Sequence, residues 1–143
     1  MRSNIASALA GCSLALVAFA LGVPQAGASS SSGKVKISNC TKALTRPRTV
    51  TLTCGDGTIA LEKLSWSSFG GARANASGKI SVNSCEPNCA ASRPRSYPVR
   101  IVASKPRSCK GKVSVYGSVS ITFTGAKPKS ASSLKRVALE CPM

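Results

Sequence analysis

Histidine is absent from these 143 residues, and only Asp56, Glu62, Glu86 and Glu140 carry a side-chain carboxylate. General acid–base chemistry near neutrality draws on an imidazole or on paired carboxylates, and this chain is poor in both. No Gly-x-Ser-x-Gly nucleophile turn occurs, and Gly70-Gly71 falls between strand patterns instead of ahead of a phosphate-cradling helix. Aromatic residues make up 4% of the chain, and Trp66, Phe69, Tyr97, Tyr116 and Phe123 mostly fall at inward positions, which leaves few rings to stack on bases. Beyond the N-terminal stretch the apolar residues never recur at helical spacing, so a recognition helix that reads sequence in a DNA groove is not expected. These deficits predict a protein that is not an enzyme, has no cofactor and holds no metal.

The one long apolar run, Ile5 to Val23, follows Arg2 and ends at Pro24 and Ala26-Gly27-Ala28, the small-residue spacing of a signal-peptidase site. Residues 1–28 are therefore read as a secretory signal peptide, 29–33 as a serine-rich tether and 34–143 as one domain. Leu9-Ala10-Gly11-Cys12 offers an alternative, a lipid anchor at Cys12, but the apolar run continues past that cysteine without the polar tether a lipoprotein carries there. The expected location is extracellular or wall-associated, with no transmembrane segment once the leader is removed.

Without Cys12 six cysteines stay: Cys40, Cys54, Cys85, Cys89, Cys109 and Cys141. An even set in a small exported chain reads as a disulfide framework. A zinc site is the competing use, yet Cys85-x-x-x-Cys89 has no matching second pair. Cys85 and Cys89 can close on each other around Pro87, or each can reach another strand.

Excess of one charge is the largest compositional feature: 20 Lys and Arg against four acids, +16 overall, or +15 for the mature chain. Such a surface concentrates anionic partners. Arg93-Pro94-Arg95, Lys105-Pro106-Arg107 and Lys127-Pro128-Lys129 each place two cations around a proline, and Arg93, Arg95, Lys105, Arg107, Lys127 and Lys129 are the candidate anion-binding residues, expected in loops at one end of the domain.

The period of the apolar pattern is two. Val113 to Phe123 alternates except at Gly117, where a bend or bulge is expected. Val35/Ile37, Val50/Leu52/Cys54, Ile80/Val82, Tyr97/Val99/Ile101 and Val137/Leu139/Cys141 follow the same rule. Thr49 to Leu64 reads as a hairpin turning at Asp56-Gly57, so Asp56 is a turn former. The phase switch between Ile59 and Trp66 predicts a bulge near Glu62 and Lys63, and Trp66 then turns inward as a core anchor. The fold class expected is all-β: a single antiparallel β-sandwich of about seven strands, stabilised by disulfides. Cys54, Trp66 and Cys109 lie near immunoglobulin spacing, but the tyrosine expected two residues before Cys109 is missing.

Val50-Thr51-Leu52-Thr53-Cys54-Gly55-Asp56-Gly57, Leu64-Ser65-Trp66-Ser67-Ser68-Phe69-Gly70-Gly71, Asn83-Ser84-Cys85-Glu86-Pro87-Asn88-Cys89-Ala90 and Tyr97-Pro98-Val99 resemble a group of small exported actinobacterial proteins of unassigned function. Phe69 stands where that group more often has tryptophan, and Ser92 where it often has glycine. The resemblance implies export and a bacterial setting, and brings no catalytic residues. The function expected is a secreted, strongly cationic, non-catalytic protein that associates with anionic envelope polymer or surface, with nonspecific nucleic-acid binding open to the same charge. The alternative is an exported effector or inhibitor that binds a specific protein partner through the Cys85–Cys89 loop.

Overall fold

A computed structural model describes residues 34–143; the leader, Cys12 and the serine tether lie outside the described residues. Eight strands form: β1 (Val35–Asn39), β2 (Lys42–Leu44), β3 (Val50–Thr51), β4 (Ile59–Ser68), β5 (Ala74–Val82), β6 (Arg95–Ser108), β7 (Ser114–Phe123) and β8 (Arg136–Ala138). Short 3-10 turns at Lys110–Lys112 and Lys129–Lys135 flank β7. No helix among the described residues is long and apolar enough to cross a membrane.

The all-β expectation holds, and the antiparallel sandwich is corrected. Seven strands follow one path, β2-β1-β7-β6-β5-β4-β3, with β8 on β7, and β1 runs parallel to β7 with Val35 opposite Ser114. One sheet curls around its own core in place of two stacked sheets. Its two ends meet where the Asn39 side-chain oxygen accepts the Thr51 N–H at 2.8 Å and where Cys40 bridges Cys54. Strand alternation dictates which side is buried but is blind to whether the next inward face belongs to a second sheet or to the far end of the same one. Cys54 lies in the turn after β3, not in the strand.

Alternation does place the interior. Ile37, Val50, Leu61, Ile80, Val99, Ile101, Val115, Tyr116 and Val119 are fully buried. The β3–β4 hairpin forms with Val50 opposite Leu61. In its turn Asp56 accepts the Thr58 N–H at 3.1 Å and the Thr58 hydroxyl at 2.9 Å. The Thr58 backbone hydrogen bond foremost, then those of the Thr53 and Thr58 side chains, hold the Asp56 carboxyl below its ordinary range. Pairing of β4 with β5 slips between Glu62 and Ser65, and Lys63 sits at φ 52°. This is the bulge that the phase switch demands, and it turns Trp66 inward, where its Nε1–H donates to the Pro47 carbonyl at 2.8 Å and its ring meets Phe69 edge-on at 4.8 Å.

Gly117 is not a bulge. Pairing of β6 with β7 keeps one register from Val99–Phe123 to Ser108–Ser114, and the glycine serves close approach instead: a Cβ there would stand 2.8 Å from the Lys105 carbonyl oxygen. Beside it, the buried Tyr116 hydroxyl accepts the Gly70 N–H at 2.9 Å and donates to the Gly71 carbonyl at 3.1 Å, fastening the β4–β5 turn to β7. Tyr116→Phe leaves both groups short of a partner and is expected to cost about 1–3 kcal/mol. Burial pushes the Tyr116 hydroxyl above its ordinary value, against the opposing Gly70 hydrogen bond. The stability tied to this neutral hydroxyl is intact below the unfolded-state value, about pH 10, and is lost as pH rises through the higher native value. Urea titrations at neutral and alkaline pH check both points, because Tyr116→Phe removes this part of the alkaline loss.

Candidate functional site

Of the three proline hooks, the structure brings two to the same end of the sheet. Arg93 precedes β6 and Arg95 opens it, opposite Val82. Lys127 and Lys129 follow the end of β7, whose last residue, Phe123, pairs with Val99. Lys105, Pro106 and Arg107 are not a loop but the far part of β6, ten residues beyond Arg95 and so roughly 30 Å away at strand rise. That part of β6 has outrun β5, which ends its pairing at Ala103, and it pairs only with β7. A proline and charges are tolerated on such a one-sided strand. Arg107 is moreover engaged: its guanidinium donates to the Leu139 carbonyl and holds the C-terminal segment in place.

The six cysteines pair as Cys40–Cys54, Cys85–Cys89 and Cys109–Cys141, so neither Cys54 nor Cys109 makes the bridge that immunoglobulin spacing suggests. The Cys85–Cys89 loop projects after β5 and is braced internally. Asn83 accepts the Cys85 N–H at 3.0 Å and donates to the Cys89 carbonyl at 3.3 Å, and Asn88 accepts the Ala91 N–H at 2.9 Å. The acids are dispersed: Asp56 in a turn, Glu62 opposite Lys79, Glu86 within the cross-linked loop, and Glu140 beside the Cys40–Cys54 seam.

A cationic surface assembles from Lys127 together with residues no local motif marks. Alternation leaves one face of β4 to β7 pointing outward, and pairing aligns its residues in rows. Ser65, Ser77, Arg100 and Thr122 form one row; Ser68, Asn75, Val102, Ser120 and Arg136 form the next. The first row crosses a shallow depression of about 530 Å³. A second depression, about 760 Å³, continues beyond β7 between Thr122 and the segment carrying Lys127, Lys135 and Arg136. Thr122 lines both. Among the described residues no carboxylate lines either one. Arginine and lysine donate only, whereas serine and threonine hydroxyls donate and accept, so this face can meet anionic oxygens and neutral hydroxyls together.

Of the hook residues only Lys127 lines this face. Arg100 was legible as an outward position between Val99 and Ile101; its alignment with Ser65, Ser77 and Thr122 was not, because register is a property of paired strands. No protein-family model, curated protein or solved structure matches this chain.

Proposed function

We propose that this is a secreted, non-catalytic protein that associates with anionic cell-envelope polymer through its cationic surface. The observation that carries the reading is the charge itself, 20 basic against four acidic side chains, joined to two depressions on and beside the outward sheet face that are lined by four cations and no carboxylate, the nearest acid of that face, Glu62, standing opposite Lys79 in the neighbouring row. Three disulfides suit an oxidising compartment, and the apolar leader with its Ala-x-Ala site supplies the export route.

Salt tests it. Purified protein mixed with isolated cell walls is expected to sediment almost completely at low ionic strength and to be released as salt approaches ~1 M, where the screening length falls to about 3 Å. The second reading, a specific protein partner, is favoured by the cross-linked, self-braced loop at Cys85–Cys89. A shape-specific contact of that kind would persist at high salt, and wall binding insensitive to salt would remove the electrostatic reading.

A further inference from the structure

We infer that the outer face of β4 to β7, together with Lys127, Lys135 and Arg136, is the docking surface for a polyol- or sugar-phosphate polymer laid across the strands. The inference rests on the envelope-association reading above and moves its contacts from the proline hooks to a face.

Two properties of the face select that chemistry. Its cations are separated by small hydroxyl and amide side chains. Arg100 stands between Ser77 and Thr122 in one row, and Arg136 follows Ser120 in the next. A polymer that alternates phosphodiesters with hydroxylated units matches such a surface, its phosphates meeting guanidinium donors and its hydroxyls meeting Ser65, Asn75 and Thr122. Rows run perpendicular to the strands, and β4 to β7 span roughly 14 Å at the ordinary strand spacing, a path that Arg136 of β8 extends past β7.

The second property is what the face does not present. Trp66, Phe69 and Tyr116 form an edge-to-face series directed into the core, while Tyr97 and Phe123 pair with each other on the inward rows. Single-stranded nucleic acid gains much of its affinity by stacking bases on exposed rings; none of these five rings lies on the outward rows, and the two whose residues line the depressions, Trp66 and Phe123, are half-buried and already engaged edge-on by Phe69 and Tyr97. A phosphate polymer without bases loses nothing by this.

The test uses the exported protein and poly(glycerol phosphate) as probe, with single-stranded DNA of equal charge in parallel. R100S/K127S/K135S/R136S is compared with K34S/K42S/R48S/K110S, which removes the same charge from exposed residues that line neither depression. The face variant is expected to bind the probe roughly ten-fold or more weakly than wild type, and the matched variant to lose less than about three-fold. Equal losses would overturn the face while leaving envelope association standing; failure of the wild type to bind any polyanion would overturn both. DNA binding tighter than the probe through the same residues would overturn the polymer class. Backbone amide shifts in wild type need no variant: they should centre on Ser77, Arg100 and Thr122 when the probe is added, and shifts centred on the Lys105–Arg107 end would refute the assignment.

Discussion

Replacing Cys109 and Cys141 together with alanine is expected to lower the unfolding free energy by roughly 4 kcal/mol, the largest loss among the three bridges. In the chain-entropy account a cross-link stabilises by restricting the unfolded chain, more so for longer loops. The three bridges span 32, 14 and 4 residues, for which the same account gives roughly 4, 3 and 2 kcal/mol. Cys109–Cys141 also anchors a strap. Beyond β8 the buried Leu139 donates its N–H to the Gly117 carbonyl at 2.9 Å, and the Met143 N–H reaches the Cys40 carbonyl at 3.0 Å, so the C-terminal segment ties β7 to the end of β1. A domain of this size has a total stability of about 5–15 kcal/mol, and a loss of this order moves the urea midpoint far. Midpoints for the three double-alanine variants give the ranking, and a larger loss from Cys85–Cys89 than from Cys109–Cys141 would refute it.

Alanine at Gly78 is expected to cost roughly 2–4 kcal/mol, far more than at Gly71. The β4 bulge drives Leu64 against β5 at this point. A Cβ on Gly78 would stand 2.7 Å from the Glu62 carbonyl oxygen, 2.9 Å from Leu64 Cδ2 and 3.2 Å from Leu64 Cα. Two of those three atoms are backbone, which cannot swing aside, and the third belongs to a side chain that is itself buried. The accommodation open to the chain is to flatten the bulge, which would return Trp66 to the solvent face and carry Ser77 out of its row. At Gly71 the nearest atom to such a Cβ is 4.0 Å away, so Gly71→Ala serves as a near-neutral reference. Thermal midpoints and tryptophan fluorescence of the pair check this: a red shift is expected in Gly78→Ala alone, and equal stability of the two variants would show that the bulge yields freely.

The strap and the bulge bear on the proposed binding surface in different ways. The bulge sets the phase of β4, and with it which of Ser65 and Trp66 faces outward. The strap follows β8, whose Arg136 pairs with Ser120 and extends the second row past β7. Loss of Cys109–Cys141 should therefore weaken polymer binding on the Arg136 side first, while Gly78→Ala disturbs the Ser65 side.

Much of this protein was present in the sequence because its causes are local. A period of two states which side chains turn inward, so Leu61, Ile80, Val99, Ile101, Val119 and Tyr97 were assignable to one face before any strand was paired. The phase switch between Leu61 and Trp66 required an extra residue in β4, and Asp56-Gly57 required a turn. An even set of cysteines beside an apolar leader read as a disulfide framework, though which cysteine meets which did not follow, since pairing depends on where the chain returns. The questions left to tertiary structure all concern neighbours in space. Period is identical in parallel and antiparallel strands and in one sheet or two, so the β1–β7 pairing and the curl closed at Cys40–Cys54 had no local signature. Lys105-Pro106-Arg107 read as a loop because its composition suits solvent; it is strand because β7 continues beside it after β5 has stopped. Arg100, Arg136 and Lys135 come from separate stretches of chain, and only strand register and the return of the Lys129–Lys135 segment bring them beside the same hydroxyl rows.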